Sequence, residues 1–396
     1  MKKKNMGILF FSLVIVMTGY GIAMPVLPFY IETMGGSGIH YGLLITSYGL
    51  MQLLFAPVWG GLSDKHGRKP ILLIGLFGLA VAMVFLALAD RLWMLYVAQL
   101  MSGGLSCAAI PAAQAYIGDS TDEENRAGAM GRIGGAIGLG MIIGPGLGGL
   151  LAVRSLSDPF YIAAGFCAVT VLMIFFWLPE SLAKQDRQQK AAFEILPVKS
   201  LWEAFFSPMR FGLLLLFTGI FGQTILSSIF GMYAMERFVY GPEQVGLILM
   251  SMALMYALAQ GLLVGPVTKK IGEIQTMQIA LLGGASGFFL ILLAGSFVTV
   301  LLSMGYFILF VALLKPSALS WITRQTTFSK GRAMGIAESY MSFGRIIGPL
   351  WAGALLDVNV LFPFGSGALI FIGAFATVVI ISKKNAEKKQ KDARVC

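Results

Sequence analysis

Few ionisable side chains interrupt the long apolar runs of this sequence, and three of them could do chemistry. Lys315 directly precedes Pro316, and Glu338 lies seven residues before Arg345. A carboxylate in apolar surroundings can bind and release a proton, and a guanidinium there needs a carbonyl, an acid or a substrate as partner. Two helical turns, about 10 Å, separate Glu338 from Arg345, so they share one helix face, but this spacing alone does not bring them into contact.

Both members of the Glu338 and Arg345 pair also have a simpler interpretation. Glu338 could be a solvated residue at the start of a helix, because helix boundaries predicted from a sequence carry errors of about 2–4 residues. Arg345 could have a structural role as a hydrogen-bond donor to backbone carbonyls.

A second charged group lies in the stretch GGLSDKHGRKP, residues 60–70, between two apolar runs. The glycines allow a tight turn, and an acid at a helix end can pair with an arginine or with the positive amino terminus of a neighbouring helix. The stretch therefore predicts a short connection with an ion pair built into it. Its candidate residues are Gly60, Asp64, Lys65, Gly67, Arg68 and Lys69.

Apolar segments must position these residues, because they dominate the composition. The chain has 396 residues, of which 57% are hydrophobic and 12% charged, whereas soluble proteins have about 25% charged residues. Segments of about twenty apolar residues can cross a bilayer core, where only a helix or a closed barrel satisfies the backbone. We therefore predict an all-α membrane protein with twelve spans, at residues 7–30, 41–62, 70–89, 92–117, 128–152, 160–179, 211–234, 244–267, 275–297, 299–322, 333–356 and 364–382.

The distribution of basic residues predicts how these spans are oriented. The net charge is +10, and of the 29 lysines and arginines only Arg91, Arg154 and Arg237 fall in connections on the side with few basic residues. Because basic loops stay cytoplasmic, we place both termini and the segment after span six in the cytoplasm. This arrangement accounts for the basic excess, so we expect no nucleic-acid partner.

The residues that usually hold metals or form disulfides are sparse. The three cysteines are Cys107, Cys167 and Cys396, and they form no CxxC pair. The two histidines, His40 and His66, are too far apart in sequence for a zinc-binding motif on one helix. We expect no metal site, no cofactor and no disulfide framework.

The sequence also repeats itself at an interval of about 205 residues. GLLITSYGLM at 42–51 resembles GLILMSMALM at 246–255, and GMIIGPGLGG at 140–149 resembles GRIIGPLWAG at 344–353. Parallel repeats of this kind are typical of secondary transporters whose site lies between the halves. We predict an N-terminal six-helix bundle at 1–179, a cytoplasmic linker at 180–210, a C-terminal six-helix bundle at 211–382 and a cytoplasmic basic tail at 383–396.

In this topology the 60–70 stretch is the cytoplasmic connection between spans two and three. We interpret Asp64 as part of a gate that holds the inner mouth shut in one state. Alternatively, Lys65, Arg68 and Lys69 only fix the topology, and both interpretations can hold together. In the second half Glu273 stands opposite Arg68, so the charge order is reversed there and the pattern is predicted to be relaxed.

The 60–69 pattern resembles the loop signature of the major facilitator superfamily. In span five, Gly140, Gly144, Pro145, Gly148 and Gly149 resemble the motif of its twelve-span, proton-coupled drug exporters. Residues 48–70 are most similar to the tetracycline and fluoroquinolone or multidrug exporters. The resemblance implies the major facilitator fold and drug efflux in exchange for protons.

The span-five glycines also have a physical interpretation of their own. Small residues spaced by four let helix backbones approach closely, and Pro145 permits a bend, which suits rocking between two states. Ordinary close packing without a mechanistic role is the alternative.

The chain departs from related exporters in its intramembrane charges. Those proteins often carry acids in span one, seven or ten and an arginine in span four; here spans one, four and seven have no acid in their cores, span ten has only a base, and Gln99 takes the span-four place. This leaves Glu338 as the main proton-coupling candidate, with Asp64 at the mouth. An adaptable, mostly apolar pocket is predicted, with candidates Tyr20, Gln52, Gln99, Gln114, Gln223, Ser227, Tyr256, Gln260, Tyr306, Lys315 and Arg345.

The leading hypothesis is a cell-membrane transporter that exports amphipathic small molecules by proton-coupled alternating access. Its partners would be the small-molecule substrate, protons and the lipid bilayer, and we expect a monomer. The alternative is a carrier for a specific metabolite, such as a sugar or an organic anion, and Lys315 and Arg345 would favour an anion. No Ser/His/Asp set, metal cluster or nucleotide loop is recognisable, so we predict no enzyme, and the two-fold repeat argues against a channel.

Overall fold

The computed structural model describes residues 3–183, 185, 187, 198–326 and 328–395, with side chains for all of these except residues 3–4, 123–127, 198–200, 330–331 and 381–395. Within this part of the chain the regular elements are helices, and no strand occurs. The all-α prediction is therefore confirmed.

The first half contains seven helices that cover its six predicted spans. They are α1 Lys3–Thr33, α2 Gly38–His66, α3 Arg68–Ala87, α4 Leu92–Met101, α5 Ala109–Ser120, α6 Glu123–Ala152 and α7 Asp158–Trp177. Span four consists of α4 and α5 joined through a π-helical turn at Ser102–Ser106. Turns of this type are rare and occur often at functional sites.

The second half begins with a short helix, and seven further helices follow it. They are α8 Val198–Phe205, α9 Arg210–Phe238, α10 Pro242–Leu258, α11 Val264–Ile271, α12 Glu273–Leu293, α13 Phe297–Gln325, α14 Lys330–Val358 and α15 Phe362–Val395. Span eight repeats the irregularity of span four, because a π-helical turn at Ala259–Leu263 separates α10 from α11.

Eleven helical segments in the described residues are long and apolar enough to cross a membrane. The remaining predicted span, 333–356, corresponds to α14, which carries Glu338 and Arg345. Every predicted span therefore lies on a helix. The chain is a multi-pass membrane protein.

One expectation about the loop between spans two and three is wrong. Gly60 lies inside α2, which continues to His66, so it does not form the turn. The connection is Gly67 alone, with φ 108° and ψ 161°, a conformation open almost only to glycine. The helix runs further than the sequence predicts because its backbone hydrogen bonds continue through the charged residues.

The chain divides into two compact units. One consists of residues 1–197 with 228–253, and the other of 198–227 with 254–396. Residues 228–253 thus pack with the first unit, although the predicted C-terminal bundle begins at 211. Of the predicted linker, residues 184, 186 and 188–197 lie outside the described residues, as does Cys396 at the end of the predicted tail. The predicted domain boundaries remain a prediction.

The core of the second unit is an aromatic cluster. Phe288, Phe307 and Phe371 are fully buried, and the rings of Phe288 and Phe307 lie 4.6 Å apart. These residues belong to α12, α13 and α15, so the cluster joins three helices. Because lipid tails are as apolar as these rings, close packing and not removal from water holds the three helices together here.

Candidate functional site

Arg68 is buried at the start of α3 and joins the ends of three helices. Its Nη1 donates to Asp64 Oδ1 at 2.5 Å, and its Nε donates to Asp119 Oδ2 at 2.7 Å. Nη1 also donates to Ser63 Oγ at 3.3 Å. A buried base requires such partners, since removing one partner of a buried pair costs about 3–5 kcal/mol. Arg68 therefore ties α3 to the end of α2 and to the end of α5.

Glu180 holds the amino terminus of α3 from the segment that follows α7. Its carboxylate accepts the backbone N–H groups of Arg68, at 2.8 Å, and Lys69, at 3.1 Å. The first N–H groups of a helix have no partner within the helix and attract negative charge. The carboxylate lies directly against Gly67, where a Cβ would collide with it. A side chain at position 67 would therefore displace this cap.

Lys69 adds a further tie to the end of α7. Its Nζ donates to the Phe175 carbonyl oxygen at 2.8 Å. Cations near the last carbonyls of a helix are favourable because those carbonyls carry partial negative charge. Lys65, by contrast, is exposed. Lys69 thus has a structural contact as well as its predicted topological role.

The sequence identified Asp64, Gly67, Arg68 and Lys69 but missed Asp119 and Glu180. Both missed acids are distant from the loop in sequence, and they reach it only because α5 and α7 end at the same end of the unit. A signal for Asp119 exists in the repeat, because Arg324 lies one repeat interval of about 205 residues further on.

The second half has a counterpart of this ion pair with its charges exchanged. Glu273 begins α12 directly after Gly272, which has φ 82°. Its Oε1 accepts the Arg324 Nε at 3.3 Å and also accepts the hydroxyl of Ser320. The repeat aligns Glu273 with Arg68 and Arg324 with Asp119. The internal repeat predicts the exchange of Arg68 for Glu273, and the structure adds the exchange of Asp119 for Arg324.

One face of the glycine-rich helix α6 packs directly on the backbone of α1. A methyl group at Gly144 would lie 2.7 Å from the Gly21 Cα, and one at Gly140 would lie 2.6 Å from the Val14 carbonyl oxygen. A methyl group at Gly148 would collide with the Ile22 backbone. Glycines spaced by four thus allow the backbones of α1 and α6 to touch.

Another face of α6 packs against the start of α10. A methyl group at Gly246 would lie 2.5 Å from the Pro145 carbonyl oxygen, and one at Gly149 would lie 3.1 Å from the Gly246 Cα. The helix continues through Pro145 to Ala152. These contacts explain why residues 228–253 belong to the first unit.

The three ionisable residues within the spans all lie in the second unit. Arg345 Nη2 donates to Glu338 Oε1 at 2.6 Å, although two helical turns separate the residues. Two long side chains that extend toward each other bridge this distance, which the sequence spacing did not imply. The Glu338 side chain is 56% exposed and that of Arg345 36%, so the pair is accessible and can open without unpacking a core.

Lys315 lines a pocket with Gln223 and Tyr256, between α9, α10 and α13. The pocket is small and open on one side, and its other walls are Leu215, Leu216, Gly219, Ile220, Val311 and Leu314. Gln260 Nε2 donates to Tyr256 Oη at 3.0 Å and to the Ala312 carbonyl oxygen at 3.3 Å. Three of the predicted cavity residues therefore meet in one place, with Gln260 supporting them.

The remaining cavity candidates lie elsewhere. Tyr306 shares a hydrogen bond with Ser286 of α12, at 3.1 Å, so its hydroxyl is directed away from the Lys315 pocket. In the first unit Tyr20 stacks near Tyr48, with ring centroids 5.2 Å apart. The other candidates differ in burial, since Gln99 is buried, Gln52 and Ser227 are half-buried, and Gln114 is exposed. Their role in substrate binding remains a prediction.

Among the described residues, no group of three or more His, Cys, Asp or Glu side chains could hold a metal ion. Two groups of charged residues stand out within this part of the chain: Arg68 with its partners, and Lys315 with the Glu338–Arg345 pair. The first group holds helix ends together, and the role of the second in binding charge or exchanging protons remains a prediction.

Known proteins match this chain over nearly its full length. The family model of the Major Facilitator Superfamily matches residues 9–241 and 212–395. Multidrug resistance protein 2 of Bacillus subtilis (strain 168) is 28% identical over 381 residues, which cover 96% of this chain and 95% of that protein. The class B tetracycline resistance protein of Escherichia coli is 30% identical over 373 residues, or 92% of this chain and 91% of that protein.

A solved structure supports the same fold. The crystal structure of a mutant of the peptide transporter POT, in complex with sulfate, superposes with a TM-score of 0.78 at 16% sequence identity. The match covers 96% of this chain and 94% of that one. At this level of identity the likeness shows the fold.

Proposed function

The chain belongs to the Major Facilitator Superfamily, and we propose that it exports amphipathic small molecules in exchange for protons. Two relatives that match over more than nine-tenths of their length are named for resistance to drugs, one to tetracycline and one to multiple drugs. Export of the compound from the cell is the direct way for a membrane transporter to give resistance. The substrate would be captured from the cytoplasm or the inner leaflet.

The observation that carries proton coupling is the Glu338–Arg345 ion pair at 2.6 Å. Glu338 is the acid that falls inside the predicted spans, and its partner is a permanent cation. A proton on Glu338 removes its charge and releases Arg345, so the two forms of α14 differ in their electrostatic partners. A transporter can use this difference to alternate between a protonated and a substrate-loaded form.

The Arg68 group supports alternating access in a different way. Arg68, Asp64, Asp119 and Glu180 hold the ends of α2, α3, α5 and the segment after α7 together. The unit can therefore move as one body while the mouth opens or closes. The close contact between the backbones of α6 and α1 is consistent with a rigid first unit.

The predicted topology completes the proposal. From the distribution of basic residues we infer that both termini and the linker are cytoplasmic, which would put the Arg68 group on that side of the membrane. The protein acts as a monomer in the cell membrane, with the bilayer and protons as its partners besides the substrate.

The decisive experiment measures proton movement in reconstituted vesicles while tetracycline, norfloxacin and ethidium are supplied in turn. Glu338→Gln should abolish proton-driven transport and spare substrate binding, since it keeps the size of the side chain and removes its proton exchange. Glu203→Gln is the matched control, because Glu203 also pairs with an arginine, Arg332, at 3.1 Å but lies outside the predicted spans. Full transport by Glu338→Gln would remove Glu338 from the mechanism.

A carrier for a defined metabolite is the second candidate function, and the basic residues Lys315 and Arg345 favour an organic anion. The two functions differ in a host that lacks its own exporters. Unchanged resistance to the drug panel on expression, together with uptake of one metabolite, would replace the exporter proposal with the carrier.

A further inference from the structure

We propose that the pocket around Lys315 binds an anionic group, such as a carboxylate, on the transported molecule. Lys315, Tyr256 and the amide of Gln223 form this subsite. The inference rests on the proposed transport function and specifies its substrate class: amphipathic acids, including zwitterions that carry an acidic group, rather than compounds with only a cation.

The charges of the ionisable residues in the spans of the second unit do not balance within the protein. Arg345 is compensated by Glu338 at 2.6 Å. Lys315 has no carboxylate within 4.0 Å among the residues that the structure describes, and Glu338 and Arg345 act on it with opposite electrostatic signs. A cation away from bulk water needs a counter-charge. A bound anion would supply the charge that the protein does not.

The hydrogen bonds of Gln260 determine whether the Tyr256 hydroxyl donates or accepts. The Gln260 amide nitrogen faces the Ala312 carbonyl oxygen at 3.3 Å, which fixes the nitrogen as the atom directed toward Tyr256. This nitrogen donates to Tyr256 Oη at 3.0 Å, so the phenol oxygen is occupied as an acceptor. Its own proton is then free to be donated elsewhere. Because Tyr256 and Lys315 line the same pocket, the pocket offers a phenol donor as well as an ammonium.

The rest of the pocket lining is apolar. The other walls of the pocket are mostly leucine, isoleucine and valine side chains, including Leu215, Leu314 and Val311. An ammonium, a phenol O–H and an amide N–H are three donors suited to the two oxygens of a carboxylate. A cation without an acidic group would meet repulsion from Lys315 instead.

The test uses four probes that share one apolar body and differ in charge. They are pyrenebutyrate, pyrenylalanine, pyrenebutanol and pyrenylbutyl-trimethylammonium, which are an anion, a zwitterion, a neutral compound and a cation. Their transport is measured in vesicles reconstituted with the full-length protein and energised by a proton gradient. We expect transport of the first two and little of the cation. The zwitterion arm shows whether an amine on the same molecule is tolerated.

Variants then connect this selectivity to Lys315. Lys315→Met should raise the KM for pyrenebutyrate about tenfold or more, the loss expected for one charge-assisted hydrogen bond, whereas Lys315→Arg should retain most transport. Lys270→Met removes the same charge from an exposed position and is the control. The melting temperature of each variant in detergent reports whether it folds.

The outcomes separate this inference from the proposed function. Transport of the cation together with exclusion of pyrenebutyrate would overturn the anion subsite and leave drug export intact. Equal KM values for pyrenebutyrate in wild type and a folded Lys315→Met variant would also overturn it. If none of the four probes, and none of the three drugs, moves with protons, the export proposal fails and the subsite fails with it.

Discussion

The same connection occurs twice in this protein, once between α2 and α3 and once between α11 and α12. Each consists of one glycine with positive φ, Gly67 and Gly272. In each connection, the residue after the glycine forms an ion pair with a residue near the end of another span. That span is span four in the first half and span ten in the second. The first pair is Arg68 with Asp119 and the second is Glu273 with Arg324, so the charges are exchanged.

The two connections differ in the contacts that surround the glycine and the ion pair. Around Gly67 the Glu180 carboxylate caps α3, and Asp64 is a second partner of Arg68. Around Gly272 a Cβ would meet open space among the described residues. The attraction between two opposite charges does not depend on which residue carries the positive charge. The ion pair is therefore present in both halves. In the second half the additional partner of Glu273 is the Ser320 hydroxyl. The carboxylate cap and the second carboxylate belong to the first connection, and they make it the more constrained of the two.

The largest effect is expected from reversing the charge of Arg68. Arg68→Glu places a third acid beside Asp64 and Asp119 in a buried site, and the loss should be about 3–5 kcal/mol. The swap Arg68→Glu/Asp119→Arg should recover much of it, because the second half is built with that polarity. Melting temperature in detergent and transport rate measure both. A swap as damaged as the single change would contradict the equivalence of the two pairs.

The next effect concerns the two glycines. Gly67→Ala and Gly272→Ala should each cost about 1–3 kcal/mol, because both backbones occupy a region that other residues avoid. Gly67→Ala should cost more, because its methyl group would also displace the Glu180 cap. The melting temperatures of the two variants in detergent show which substitution destabilises the protein more. Equal losses would indicate that Glu180 contributes nothing to the first connection.

A smaller contrast is expected between the helix pairs α1–α6 and α9–α14. A methyl group at Gly140 would lie 2.6 Å from the Val14 carbonyl oxygen, whereas one at Gly344 would lie 3.0 Å from the Phe217 carbonyl oxygen. Gly140→Ala should therefore destabilise by about 1–3 kcal/mol and Gly344→Ala by less. Thermal unfolding of the two variants checks this order. The reverse order would show that α1 can move away from α6 more easily than the static contact implies.

The smallest effect on stability is expected from Asp64→Ala. Arg68 keeps Asp119 as its partner, so the amount of expressed protein should change little. Turnover should slow, because one of the ion pairs that join the ends of these helices is lost. Lys65→Ala, at an exposed position, is the control and should transport normally. Loss of substrate binding in Asp64→Ala, measured in the same vesicles, would place the loop in the substrate site instead of at a gate.

Much of this comparison is present in the sequence. The repeat interval, the glycines and the reversed charge at Glu273 can all be read from it, and so can the helix that follows each glycine. Asp119, Glu180 and Arg324 were not found, because each lies about fifty residues or more from its partner. The sequence records which charges exist but not which of them meet across helices.

The three ionisable residues in the spans of the second unit also show that the sequence gives the charges but not their contacts. Lys315, Glu338 and Arg345 stand out in the sequence because charge is expensive in an apolar segment. Their contacts do not follow from spacing, since rotamers decide whether two side chains two turns apart meet. Likewise Tyr306 and Tyr256 have similar sequence surroundings, yet one binds Ser286 and the other lines the pocket with Lys315.

The sequence by itself determined the all-helical membrane architecture, the number of spans and the family. These follow from hydropathy, from the absence of water for backbone groups in lipid and from short motifs, all of which are local properties. The tertiary structure alone decided that Arg68 meets Asp119, that Glu180 caps α3 and that Glu338 touches Arg345. Such contacts depend on helix rotation and side-chain conformation, which are set by the packing of the whole unit.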